Sequence, residues 1–576
     1  MQIERRKKQN SYSFDQFHPV VNRVMQARAL SSPQELDYGL SGLLPPTKLH
    51  AIDDAAHLLA EAVMAQANIV IVGDFDADGA TSVAVAMRAL RGFGLEQVSY
   101  IVPNRFEYGY GLTPEIVGVA AISQPDVIVT VDNGISSING VHAAQALGIS
   151  VLITDHHLPG ESLPTAEVIV NPNLQQDKFP SKNLAGVGVI FYVMSAVRAL
   201  LRRQGWFESM GIAPPKLSDL LDLVALGTVA DVVPLDRNNR ILVHQGIARI
   251  RASRASAGVA ALIEVAGRQA ENLVASDLGY VVGPRLNAAG RLDDISIGIE
   301  CLLSDDFEQA KGLANQLDTL NNERKAVQHS MQQQALAVVG ELEAVDAIEQ
   351  RPIHVLFDES WHQGVIGLVA AKVKERTARP VIAMAPGEQD GTWKGSARSV
   401  KGLHIRDLLA RFDALHPGIL AKYGGHAMAA GFSISEEHLA DFPAQMQAVM
   451  RDFSRGHDWE TRLFTDGAIE ADEFSLELAA QLRECSPWGQ HFTEPCFDGE
   501  FRVVNSRRVG EDHLKLVLAP LNSNIELDAI CFGYFSQESV VSERIPTSVR
   551  AVYRLDINEF RGVQSLQLII SHLESV

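Results

Sequence analysis

Four short segments hold the side chains that could do chemistry. They are Asp74-Phe-Asp-Ala-Asp-Gly79, Asp132-Asn133-Gly134, Asp155-His156-His157 and the lone Asp231. Brought into one small volume, Asp74, Asp76, Asp78, Asp132, Asp155 and Asp231 would repel one another and hold protons. Divalent cations remove that conflict. This many carboxylates, with imidazoles, suffice for two ions bridged by a shared ligand. Asp132 is assigned the bridge, because it stands alone on a central strand. Two ions about 3.5–4 Å apart can hold a shared hydroxide that attacks phosphorus in line. Oxygen-rich ligands with one or two imidazoles suit Mg²⁺ or Mn²⁺. The Asp-x-Asp-x-Asp-Gly run also resembles the start of a calcium loop. Such a loop needs an acid at its twelfth position, where this chain has Val85.

The acids make sense only if the fold gathers them. Ile69–Val72, Val127–Val131 and Val151–Thr154 are short, β-branched runs, and each feeds directly into one acidic segment. Val98–Val102 and Val168–Val170 are further strands, and Ser82–Leu90 has helical spacing. Strands alternating with helices imply right-handed crossovers and a mostly parallel sheet. Ligands of such sheets bind beyond the carboxyl ends of the strands. The apolar stretch Leu220–Leu226 leads into Asp231 by a helix.

Beyond this sheet the pattern changes. Asp305 to Val345 lacks proline and is rich in Glu, Gln, Ala, Leu and Lys. It predicts a helix about 60 Å long at 1.5 Å per residue. Ile353–Phe357, Val365–Arg376 and Pro380–Ala385 read as strand, helix and strand of a second α/β domain. Glycine-rich Tyr423–Gly431 follows. Phe501–Val504, Leu514–Leu518, Ile525–Phe532, Val549–Leu555 and Ser565–Ile570 alternate with period two, which suggests a small OB-like β-barrel.

Composition limits the alternatives. The net charge of −20 argues against a protein that coats nucleic acid nonspecifically, though not against one local basic groove. Cys301, Cys485, Cys496 and Cys531 have no CxxC spacing, so neither a zinc knuckle nor a disulfide framework is expected, and a reducing cytoplasmic compartment fits. No apolar run reaches bilayer length, so no membrane association is expected. The opening charges are not followed by an apolar segment of secretory type, and Arg5–Lys8 reads as a solvated tail.

At this point the motifs carry a resemblance. Asp155-His156-His157, with Asp74–Gly79 and Asp132-Asn-Gly-Ile-Ser136, resembles the DHH phosphoesterase superfamily. Gly424-Gly-His-Ala-Met-Ala-Ala-Gly431 resembles its second domain, DHHA1. The order of segments is most similar to the bacterial single-strand-specific exonucleases of that superfamily, over nearly the whole chain. The implied architecture is two α/β domains, DHH and DHHA1, joined by a long helix and followed by a C-terminal OB-like β-barrel. The expected boundaries are an N-terminal extension at 1–50, the DHH domain at 51–260 and a helical connector at 261–346. DHHA1 follows at 347–457 and the barrel at 458–576.

The resemblance implies Asp76, Asp78, Asp132, His156 and Asp231 as metal ligands, with His157 on the scissile phosphate. Asp132, His157 and Asp74 are the residues expected to carry catalysis. Asp74 and Asp155 are each either a ligand or a support behind one. Many members have a histidine before the first acidic pair, and here Asp74 is the nearest group. Arg105, Ser396 and Arg398 map to a terminal-phosphate pocket. Arg285 and Asn287 are assigned to holding the strand. His426 lies among glycines that let backbone amides approach an anion, and His362 is a second candidate. Phe106, Tyr108, Tyr110, Trp361 and Trp393 could stack bases in a cleft too narrow for a duplex, although each taken singly is more often a packing residue. Arg502, Arg507, Arg508 and Lys515 could track a backbone along the barrel.

The expected function is a metal-dependent exonuclease that hydrolyses single-stranded DNA from the 5′ end to mononucleotides, in DNA repair and recombination. Its polarity comes from the resemblance alone. Implied partners are single-stranded DNA, a single-strand-binding protein and a helicase, with a monomeric chain. Two rivals are a DHH enzyme of small substrates (pyrophosphate, short RNA, cyclic dinucleotides) and a non-catalytic replication scaffold. The long helix and barrel speak against the first, and the complete set of acids against the second.

Overall fold

Ile69–Val72 is four consecutive buried β-branched residues, the pattern of a strand covered on both faces. In the computed structural model, which describes residues 2–103, 111–345, 352–453, 462–535 and 545–576, this strand lies inside a five-stranded parallel sheet. The order is Val98–Ile101, Ile69–Val72, Val127–Val131, Ser150–Thr154, Val168–Val170. Every neighbouring pair is parallel. Val70, Val72, Ile128, Val151 and Ile153 face one core with Ile116, Val117, Val141 and Ala144 of two crossover helices. The alternate residues face the other side, where helix Ala77–Gly92 packs on helices Gly186–Arg203 and Leu221–Ala230. The strand order reverses between Ile69–Val72 and Val127–Val131. A crevice opens at such a point beyond the carboxyl ends of the strands, where Asp74 and Asp132 stand.

The polar stretch after this domain is one helix, Phe307–Val345. Beyond it lies a mixed five-stranded sheet, in the order Leu420–Gly425, Ala429–Ser435, Thr392–Arg398, Val381–Pro386, His354–Phe357. Only the last two strands are parallel. Glycine-rich Tyr423–Gly431 forms the hairpin at the sheet edge.

Five antiparallel and parallel pairings close the C-terminal barrel, made of Phe497–Val509, His513–Pro520, Leu527–Cys531, Val563–Ser575 and Ser548–Phe560 in that order. Its core centres on Tyr553, which is edge-on to Phe501 at 5.5 Å and tilted over Phe497 at 6.1 Å. The architecture is therefore α/β, with two α/β domains joined by a long helix and a C-terminal OB-like barrel. Arg5–Thr319 with Phe464–Val576 form one compact unit, and Leu320–Leu463 with the N-terminal residues through Glu4 build a second. Among the described residues, no helix is long and apolar enough to cross a membrane. The four cysteines are free thiols.

Of the N-terminal charges, Lys7 and Lys8 are exposed as expected, while Arg5 and Arg6 depart from a solvated tail. Gln2–Arg5 is a strand paired with Arg462–Thr465. Arg5 makes a two-pronged bond to Asp498, and Arg6 reaches Asp466. The partners lie some four hundred and sixty residues or more along the chain, so no local pattern could announce them.

Candidate metal centre

The crevice at the switch point is built by helix ends and tight turns. Asp76 precedes helix Ala77–Gly92 and accepts the N–H groups of Asp78 and Gly79, each at 3.0 Å. A Cβ on Gly79 would lie 2.4 Å from the Asp74 carbonyl oxygen, so only glycine lets the loop close here. Asp78, on the first turn, accepts the N–H groups of Gly186 (2.7 Å) and Val187 (2.9 Å). Its carboxylate thus sits between the N-terminal ends of two helices, a favourable place for negative charge. Asp132 has φ of 62°, a left-handed conformation that aspartate tolerates better than most residues. Next to it, the Asn133 amide donates to the carbonyls of Val72 and Val131, pinning the two strands that flank the crevice.

His156 joins three of the acids. Its Nε2 lies 3.1 Å from Asp132, 3.5 Å from Asp231 and 4.0 Å from Asp78. Asp231 caps the carboxyl end of helix Leu221–Ala230, where the helix dipole disfavours an anion and a nearby cation is favoured. The side chains form three overlapping groups whose donor atoms lie within 4.8 Å of one another. They are Asp74, Asp76 and Asp132; Asp78, His156 and Asp231; and Asp132, His156 and His157. Asp132 and His156 each belong to two of them, and of the two only the carboxylate has a second oxygen to share.

The electrostatics agree. Burial, then the charge of Asp76, pushes Asp78 up to about 7 despite its two backbone hydrogen bonds. Burial and the neighbouring carboxylates push Asp132 and Asp231 well above the carboxylate range. A divalent cation relieves this repulsion and would hold all three ionised. The donor set, carboxylates with one imidazole, fits Mn²⁺ or Mg²⁺.

Asp155 has a different task. One oxygen accepts the N–H groups of His156 (2.7 Å) and His157 (3.0 Å) and the His157 Nδ1–H (2.7 Å). The other accepts the Ile135 N–H at 2.9 Å. Wholly buried and so committed, it positions the histidine pair. Burial pulls the His157 imidazole down, but its bond to Asp155 and the charges of Asp155, Asp231 and Asp74 prevail, raising it to about 9. Held by Asp155 and charged, the ring suits a phosphate oxygen. Asn171 and Asn173, just past the fifth strand, donate to the carbonyls of His157 and His156. The sequence reading missed these two, although they follow a strand end as the acids do.

The other expected site residues divide. Asn287 accepts the Ala77 N–H at 2.8 Å and so supports the acidic helix start. Its helix, Gly283–Leu292, approaches so closely that a Cβ on Gly290 would lie 1.8 Å from the Phe75 carbonyl oxygen. Arg285 is committed to the Val281 carbonyl and to Asp318 of the long helix (2.8 Å). In the second sheet, Arg398 donates to Ser396 Oγ at 2.9 Å. A Cβ on Gly367 would lie 2.7 Å from Arg398 and 3.0 Å from Ser396, so the three meet near the start of helix Ile366–Thr377. An arginine, a hydroxyl and a helix N-terminus are anion-binding groups. His426 is exposed at the hairpin turn, its N–H bonded to the Ala429 carbonyl. His362 accepts the Gly364 N–H at 3.1 Å.

Arg105, Phe106, Tyr108 and Tyr110 lie outside the described residues. Trp361 and Trp393 are not open stacking platforms. They are 5% and 4% exposed, Trp361 donates to Gln334, and Trp393 packs edge-on to Phe357. Their large ring area is more favourable in a core. On the barrel, Arg502 and Arg507 are exposed. Arg508 bonds the Glu511 carbonyl and lies over Phe535, and Lys515 pairs with Asp528.

Comparison with known proteins agrees with this geometry. Residues 68–228 match the DHH family N-terminal domain, 350–452 the DHHA1 domain and 465–572 the RecJ OB domain. The chain is 50% identical, over 99% of both chains, to the single-stranded-DNA-specific exonuclease RecJ of Dickeya dadantii. It is 49% identical to the Escherichia coli enzyme of that name over 96% of each. The chain belongs to the RecJ family. A crystal structure of RecJ from Thermus thermophilus in complex with Mn²⁺ superposes with a TM-score of 0.79 at 28% identity, covering 97% of this chain and 76% of that one. A second structure of the same protein holds Mg²⁺, with a TM-score of 0.73 at 27% identity, covering 97% and 75%. Both metals are those that the donor set of this family member fits.

Proposed function

We propose that this chain is a metal-dependent exonuclease that hydrolyses single-stranded DNA from the 5′ end to mononucleotides, in DNA repair and recombination. The observation that carries it is the sharing of Asp132 between two ligand groups, one of them also containing His156 at 3.1 Å. Asp74, Asp76, Asp78, Asp132, His156 and Asp231 would hold two Mn²⁺ or Mg²⁺ ions. When bound, these ions supply positive charge against the phosphate and lower the cost of ionising water. Asp155 keeps His157 in one orientation, and His157 offers a proton at Nε2 to a non-bridging phosphate oxygen. Asn171 and Asn173 fix the backbone of the pair.

Ser396 and Arg398 take the terminal phosphate, with Arg105 and His426 as further contacts. A terminal monophosphate has more charge and more acceptors than an internal diester, so such a pocket selects ends. Arg285 and Asn287 set the helix beside which the strand passes. The barrel holds the strand beyond the cut, with Arg502 and Arg507 as its exposed cations. The chain acts as a monomer in the cytoplasm, on strands supplied by a helicase and covered by a single-strand-binding protein.

The test is digestion of end-labelled oligonucleotides, single-stranded and blunt duplex, with Mn²⁺, Mg²⁺ or EDTA. Metal-dependent loss of the 5′ label as mononucleotide, from the single strand only, is expected. Early loss of a 3′ label, or equal digestion of the duplex, would overturn the reading.

A further inference from the structure

We infer that residues 5–50 are a strap that docks the barrel onto the catalytic domain, and that Arg5, Arg6 and Arg28 are positioning residues for long substrates. The inference rests on the reading that the barrel holds the DNA strand.

The strap is bonded at both ends. On the barrel side, Arg28 grips Asp466 with two bonds, 2.8 and 3.1 Å, and donates to the Thr493 carbonyl. Both side chains are almost fully buried. Arg6 adds a third bond to Asp466, and Arg5 forks onto Asp498 of the first barrel strand at 3.0 Å twice. On the catalytic side, Glu35 pairs with Arg240 at 2.8 Å and the Leu44 N–H donates to Asn238. Further along, the His50 N–H donates to Asp177 at 2.7 Å. Tyr38 bonds both ways, to Ser486 through its hydroxyl and to Gln245 through its carbonyl.

The direct seam is incompletely packed. A cavity of about 690 Å³ lies between the catalytic helices and residues 483–494, bordered by Val229, Leu235, Ile247, Tyr280 and Trp488. Close packing across the seam is interrupted there. What crosses it directly includes the Leu235 N–H to the Gln490 carbonyl at 2.8 Å and Arg240 over the Phe492 ring at 4.3 Å. Buried arginine–aspartate pairs are poor sources of net stability but strong at fixing geometry, because a lost partner strands a charge. Nothing in the metal chemistry uses these arginines, so the burial of Arg28 and most of Arg6 needs another reason. Holding two binding modules at fixed separation makes the second contact intramolecular, which raises affinity for any ligand long enough to reach both.

The experiment uses the full chain in two variants, Arg5→Gln/Arg6→Gln at the edge and Arg28→Gln at the buried pair. Two readouts are taken: hydrogen exchange at the Leu235 amide, and KM and kcat for a 5′-phosphorylated dinucleotide and a long strand. The edge variant keeps the buried pair and remains measurable should Arg28→Gln not fold. Support is a faster-exchanging Leu235 amide, with KM for the long strand raised about 10-fold or more and dinucleotide kcat unchanged. Unchanged Leu235 protection and an unchanged preference for long strands would overturn the strap. Equal fractional losses on both substrates would also overturn it, as a purely structural role. A wild-type protein with no preference for long strands would instead sink the barrel reading, and the strap with it.

Discussion

Gly186 and Asp132 leave no room for a side chain between them. A Cβ on Gly186 would lie 2.5 Å from the Asp132 Cβ and 2.6 Å from its Oδ1. The same residue gives its N–H to Asp78. One glycine therefore sets the spacing of two carboxylates in the centre. Gly186→Ala is expected to displace Asp132 and lower kcat about 100-fold, the scale of a misplacement near 1 Å, with an unchanged circular dichroism spectrum. Wild-type turnover by this variant would show that the contact is unimportant.

Asp132→Ala removes the proposed shared ligand. Turnover with either metal should vanish, and calorimetry should show lost Mn²⁺ binding. Because burial and the neighbouring carboxylates hold Asp132 well above the carboxylate range, the metal-free variant should melt no lower than metal-free wild type. Normal turnover by the folded variant contradicts the bridging role.

Metal binding should stabilise the fold. A ligand at about 100 times its Kd adds roughly 2.7 kcal/mol. Mn²⁺ should raise the Tm of the EDTA-treated protein. The rise should shrink in Asp78→Asn and Asp231→Asn, which remove one carboxylate each from the group around His156. A Tm indifferent to Mn²⁺ would show that the cluster is not a binding site.

Val232, directly after Asp231, has φ of 62° and is exposed. A left-handed β-branched residue costs about 1–2 kcal/mol. Val232→Gly should raise the metal-free stability by about 1 kcal/mol in urea denaturation. A loss of stability would show that the side chain has packing contacts that outweigh the strain.

Asp498 predicts an acid limb. Burial works to raise its carboxyl, but the bonds from Arg5, Thr465 and Arg550 prevail and hold it below the usual range. A folded pKa below the unfolded one gives stability that is complete above the unfolded value, about 3.9. That stability is lost as the pH falls through the lower folded value. Asp498→Asn should lower the urea midpoint at neutral pH and flatten its decline in acid. A pH profile parallel to wild type would mean the carboxylate does not contribute.

The sequence by itself determined which acids could converge. Each metal-site acid follows an apolar run or opens a helix, and covered parallel strands must be apolar throughout, so acids can occur only where strands end. That made Asp74–Asp78, Asp132, His156 and Asp231 legible, along with both α/β patterns, the long helix and the barrel strands. What only the tertiary structure decided depends on partners distant in the chain. Asp155 proved to be a support because the Ile135 N–H and the His157 ring meet it in space. Trp361 and Trp393 took the packing role that single aromatics most often have, and the structure supplied the partners, Gln334 and Phe357. Arg5 and Arg6 looked like solvated charge because Asp498 and Asp466 lie hundreds of residues away. Periodicity reports how a segment buries its own surface, and it is silent on which distant charge will be left needing a partner.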